Sequence, residues 1–173
     1  MATAAAAKTA KVQTGRRHHG DVRHFQASPR MAANLQKVLV DLIELHLQGK
    51  QAHWNVVGKN FRDLHLQLDE VVDAAREASD VIAERLRALY AVADGRSETV
   101  AATTSLPQFP AGEQNTADVV DLVGTRIYAA VATMREVHDA VDAEDPTTAD
   151  LLHQITDQLE KLAWMIKMEN AKA

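Results

Sequence analysis

Residues 61–90 read "FRDLHLQLDEVVDAAREASDVIAERLRALY". With successive side chains about 100° apart on a helix, Leu64, Leu68, Val71, Ala75, Ala78, Ile82, Leu86 and Leu89 fall on one side. The stretch is therefore a long amphipathic rod. Asp69, Asp73, Glu77, Asp80 and Glu84 step by four, four, three and four along the far side, and His65 begins that ridge. Like charges at this spacing repel by a few tenths of a kcal/mol per pair. A solvated face is one explanation of such a ridge. Bound cations are the other, favoured here because no lysine is interleaved and Arg76 lies only at the margin.

Working outward, an earlier pattern over about 31–56 repeats Leu35, Val38, Leu39, Leu42 and Leu45, with Ile43 less regular. "NVVGKNF" separates the two patterns, with Gly58 and Asn60 as turn formers. The "DG" at 94–95 reads as the end of the second pattern. Beyond it, Ser97 can open a short helix before Pro107 and Pro110 bar regular helix. Asn115 or Thr116 would cap a third long helix over about 117–143, and Pro146 and Thr147 open a fourth over about 147–170. The predicted class is all-α, in keeping with 4% aromatic residues, seven glycines and four prolines. Four helices with short links 1–2 and 3–4 and one long crossover have the connectivity of a ferritin-like four-helix bundle, the crossover carrying the short helix.

At 173 residues this is one domain with a real core, expected over 31–170, followed by a short tail at 171–173. The formal net charge of -5 is unevenly divided. In residues 1–30 six basic side chains, Lys8, Lys11, Arg16, Arg17, Arg23 and Arg30, face only Asp21, so a basic arm of +5 precedes an acidic body of -10. No cysteine occurs, which excludes disulfides and thiolate metal sites. No stretch approaches the roughly 20 apolar residues that span a bilayer. A cytoplasmic protein is the simpler expectation, although the acid-poor start also suits a transit peptide.

His53 and His65 stand on either side of Gly58, so the turn there brings them together. Asp80 and Glu84, one turn apart, can clamp a cation. The two groups cannot share an ion within one helix: fifteen residues at about 1.5 Å each separate His65 from Asp80 by roughly 22 Å, while metal–ligand bonds are about 2.0–2.2 Å. Each chain thus carries two half-sites, His53/His65 (with Asp69 nearby) and Asp80/Glu84. A two-fold pair of chains with antiparallel second helices completes both.

"KQAHWNVVGKNFRDLH", then "DVIAERL", with "LPQFPAG" in the crossover and "TTADLLHQITDQLEKLAWMI" near the end, resembles the Dps family, the DNA-binding proteins from starved cells. The resemblance covers roughly residues 30–170. It implies a hollow shell of twelve subunits that oxidises Fe(II), preferably with hydrogen peroxide and more slowly with dioxygen, and stores the Fe(III) product. By position it implies iron held by His53 and His65 of one subunit and Asp80 and Glu84 of its neighbour, with Asp69 assisting the second iron. Trp54 matches an aromatic beside that site, and simple packing at a subunit contact explains it equally well. Asp73 and Glu77, continuing the ridge, are expected to nucleate mineral. No histidine follows a glutamate by three residues, so the in-helix Glu-x-x-His iron site of larger ferritins is absent.

The arm supports a second function. Lys8, Lys11, Arg16 and Arg17 can hold DNA phosphates without reading sequence, and twelve arms would act together. A solubilising tail is the alternative, and His18, His19, Asp21 and His24 can instead form a peripheral metal site. His46, His138 and His153 read as structural.

Overall fold

The computed structural model describes residues 24–171. Helix α1 runs Pro29–Asn55, α2 Phe61–Ala88, α3 Ser97–Thr103, α4 Thr116–Asp142 and α5 Pro146–Met168. The long helices form a closed ring of contacts: α1 on α2, α2 on α5, α5 on α4 and α4 on α1, with α3 against α1. This is the ferritin-like four-helix bundle, its short extra helix lying in the crossover between the second and third long helices. Every residue of the expected apolar stripe of α2 is buried, from Leu64 at 1% to Leu89 at 4% exposure. Burial of such leucines and isoleucines, each contributing about 1.5–3 kcal/mol, is what holds the rods together.

The helix ends follow local chemistry. Ser28 caps α1 by accepting from the Met31 N–H, and its own N–H and hydroxyl donate to Glu144 at 2.6 and 2.7 Å. The Asn115 side chain caps α4 through the Asp118 N–H. Helix α2 closes at Ala88, next to the end expected at about Tyr90 and ahead of the Asp94–Gly95 pair. Tyr90 adopts φ 62, and the Ala91 N–H returns to the Leu86 carbonyl at 2.9 Å. A left-handed residue just past a helix is how its last carbonyls are closed off. Asp94 instead binds Arg96 and accepts from the Thr99 hydroxyl, and the guanidinium holds its carboxyl well below the usual range.

Two features tie the crossover to the bundle. Val56–Val57 after α1 pairs in parallel with Gln114–Asn115 before α4, a two-residue ladder that pins the α1–α2 turn beside the start of α4. Two buried ionic side chains grip the segment between. Asp41 on α1 accepts from the Thr104 hydroxyl, the Ser105 N–H and hydroxyl, and the Thr133 hydroxyl of α4 at 2.6–2.9 Å. Arg126 on α4 donates to Gln48, to the Gln108 carbonyl and to the Leu122 carbonyl, and its guanidinium lies 4.9 Å from the Phe109 ring. Burial of charge is tolerated in both places because the hydrogen-bonding capacity is met.

Candidate metal centre at the α1–α2 turn

Gly58 makes the turn possible. Its φ is +121, a region closed to side-chain-bearing residues, and a Cβ there would lie 3.3 Å from Thr116 Oγ1. Asn60, at φ 58, completes the reversal into α2. Nine residues before Gly58, within α1, Gly49 lets the helices close: a Cβ would meet Val72 Cγ2 at 2.8 Å. The last turn of α1 thereby faces the first turns of α2.

That juxtaposition stacks the His53 and His65 rings with centroids 3.7 Å apart and 24° between planes. Each Nδ1 lies 3.1 Å from the other residue's backbone carbonyl. A carbonyl can only accept, so both Nδ1 atoms are the donors, which leaves Nε2 as the ring nitrogen that can face a ligand. The His53 carbonyl is one of the orphans at the end of α1, and His65 satisfies it. Backbone thus fixes tautomer and orientation of both rings, as the outer partners of a metal-binding histidine do.

Asp69, one turn beyond His65, brings Oδ1 to 3.3 Å from His53 Nδ1. His53, His65 and Asp69 form a cluster whose ligand atoms lie within 4.8 Å of one another, and it is able to hold a metal ion. Lys50 reaches the same Asp69 oxygen at 2.5 Å. Its hydrogen bond, more than the nearby histidines, keeps the Asp69 carboxyl below its usual range. Phe61 lies against the other side of His65, 5.1 Å between centroids. Lys50 and Phe61 were not anticipated, yet the signal was there: Lys50 precedes His53 by three residues and Phe61 precedes His65 by four, so each shares a helical face with its histidine.

The remaining ridge residues lie apart from this cluster. Asp73, Glu77 and Asp80 line a cleft of about 650 Å³ together with Arg76 and the apolar side chains of Leu39 and Ile43. Glu84 is exposed. Arg85, one residue along, turns to Asp145 at 2.6 Å and Thr148 at 2.8 Å rather than to the Asp80/Glu84 pair. His46 is half-buried, and burial, then the charges of Arg76 and Lys50, hold it below its ordinary value. Trp54 is 70% exposed; among the described residues the aromatic side chain beside His65 is Phe61. His24 is exposed, 6.1 Å from the Tyr90 ring. Lys8, Lys11, Arg16, Arg17, His18, His19 and Asp21 lie outside the described residues. No helix among those described is long and apolar enough to cross a membrane.

Comparison with known proteins agrees with the geometry. Residues 32–172 match the ferritin-like domain. The chain is 36% identical over 140 residues to DNA protection during starvation protein 2 of Deinococcus radiodurans, covering 77% of this chain and 55% of that one. It is 35% identical over 135 residues to the DNA protection during starvation protein of Agrobacterium fabrum, covering 77% and 83%. The solved structure of Dps from Microbacterium arborescens in the high iron form superposes with a TM-score of 0.79 at 34% identity, covering 86% of this chain and 99% of that one. A ferritin-like bundle without the Glu-x-x-His site, with relatives of this identity and coverage, belongs to the Dps family of DNA protection during starvation proteins.

Proposed function

We propose that this protein oxidises Fe(II) and stores the product as a mineral inside a shell of its own copies. Iron is substrate and cargo. The observation that carries the reading is the pair of histidines locked by each other's carbonyls, with the Asp80/Glu84 pair of the same rod roughly 22 Å further along. His53 and His65 of one subunit, with Asp69, face Asp80 and Glu84 of a neighbour related by a two-fold axis, so that each interface holds two sites. The family's twelve-subunit shell closes around such dimers.

Imidazole and carboxylate together accept Fe(II), and the harder carboxylate oxygens favour Fe(III). Two Fe(II) give one electron each to hydrogen peroxide, which takes two protons and leaves as two waters; dioxygen is a slower oxidant. Delivering both electrons at one paired site avoids release of hydroxyl radical, and DNA is thereby protected. The acidic body draws cations inward, and Asp73 and Glu77 begin mineral growth. Replacing His53 and His65 together by alanine is expected to abolish rapid oxidation in stopped-flow absorbance while the oligomer elutes unchanged. Wild-type kinetics in that variant would refute the assignment.

The basic arm supports a second activity, non-specific DNA binding in the cytoplasm through Lys8, Lys11, Arg16 and Arg17. Deleting residues 1–24 is expected to remove a low-salt mobility shift without slowing iron oxidation. Absence of any shift with the full-length protein would end this reading.

A further inference from the structure

The other helical hairpin contains a second pair of stacked histidines. His138 on α4 and His153 on α5 lie with centroids 4.4 Å apart and 27° between planes, close to the arrangement at the α1–α2 turn. Read separately, each looks structural; the α4–α5 register puts them together. They line a cleft of about 190 Å³ with Met134, Leu152 and Thr156.

We infer that His138 and His153 are the protein ligands of a second divalent-metal site, of the zinc class, with Asp139 orienting His138. His138 Nδ1 lies 3.2 Å from the Asp139 carboxylate. An ionised carboxylate only accepts, so the proton resides on Nδ1 and the lone pair on Nε2. That Nε2 is buried and has no hydrogen-bond partner among the described residues. A buried acceptor left unpaired costs about 1–3 kcal/mol, and ring stacking does nothing to satisfy it. A metal ion does. Carboxylate, then histidine, then metal is the order in which ligating imidazoles are normally held.

The surroundings suit a dication. His153 is largely exposed and free to turn about its side-chain torsions. The Asp150 carboxylate lies 4.0 Å from His153 Nδ1, one turn back on the same helix. Arg135, the cation lining the cleft, is engaged by Glu160. Two imidazoles with carboxylate and water select zinc-like ions over magnesium and calcium, which demand all-oxygen shells.

The test is zinc binding to the full-length protein carrying His53→Ala and His65→Ala, which leaves the first pair out of the count. Anomalous diffraction at the zinc edge from zinc-soaked crystals is expected to show a peak bonded to both His138 and His153 at about 2.0–2.1 Å. Calorimetry should show one zinc per chain fewer after the further change His153→Ala, an exposed position whose loss does not threaten folding. Asp139→Asn should keep the stoichiometry and weaken binding about 10–100-fold. No peak between the two rings at saturating zinc, or an unchanged zinc count after His153→Ala, overturns the site.

Discussion

The two helical hairpins of this molecule each stack a pair of histidines, and the difference between the pairs lies in what holds the rings. At the α1–α2 turn both Nδ1 atoms are anchored to main-chain carbonyls, and His53 is buried. On α4–α5 one ring is held by a neighbouring carboxylate side chain and the other is largely exposed. Backbone cannot swing away as a side chain can, so the first pair is held in place while His153 is free to turn. Preorganisation reduces the ordering cost of binding. On the readings proposed above, the first pair would be a rigid centre and the second an adaptable one.

The largest effect that sharpens this contrast is chemical. Removing both rings of the rigid pair, His53→Ala with His65→Ala, is expected to slow Fe(II) oxidation by at least about 100-fold, since lost ligands cost more than the 10–100-fold typical of lost orienting partners. The scaffold comes next. Asp41→Ala strands the donors from Thr104, Ser105 and Thr133 and is expected to cost about 3 kcal/mol in urea denaturation, because hydrogen bonds to charged groups are the strong ones. Loosening the turn that aligns the rigid pair has a smaller cost. Gly58→Ala should destabilise by about 1–3 kcal/mol through its strained φ and the Thr116 contact. Gly112→Ala, whose added Cβ would meet nothing within 4 Å among the described residues, is the control for strain alone.

The smallest effect concerns the start of the adaptable hairpin's second helix. Burial pushes the Asp145 carboxyl upward, but hydrogen bonds from Thr148 and Arg85 outweigh it and hold the group below 3.8, its usual value. A carboxylate depressed in the fold stabilises fully above the unfolded value and loses that contribution as pH falls through the folded one. Asp145→Asn should therefore cost about 1–2 kcal/mol at neutral pH. Its Tm should converge with that of the parent only below about pH 4, where the unfolded carboxyl titrates.

Much of this architecture was legible from spacing. The α2 stripe, the reversal at Gly58 and Asn60, and the proline-rich crossover all follow from local rules, and the structure places each where those rules put it. The anchors of the crossover were hidden for a physical reason. Amphipathic patterning treats Asp41 and Arg126 as outward-facing charges, and only partners distant in sequence make them buriable. The Val56–Val57 ladder with Gln114–Asn115 is equally non-local, with two residues a side giving no strand signature. Helix α2 ends at Ala88, close to the end expected at Tyr90, and it is Tyr90, a residue without the glycine signal, that takes the left-handed position. For the histidines, sequence spacing sufficed across the short turn at Gly58, where geometry leaves little choice. It failed for His138 and His153, whose meeting depends on how two long helices slide past one another.

Lys50 gives the rigid centre one last property. A carboxylate that already carries an ammonium takes a metal only by exchange, so on the proposed reading the free energy gained at Asp69 is a difference between two ionic partners. On that reading such a position would retain its ion weakly, and weak retention would let an oxidised product leave for the growing mineral while the next ferrous ion arrives.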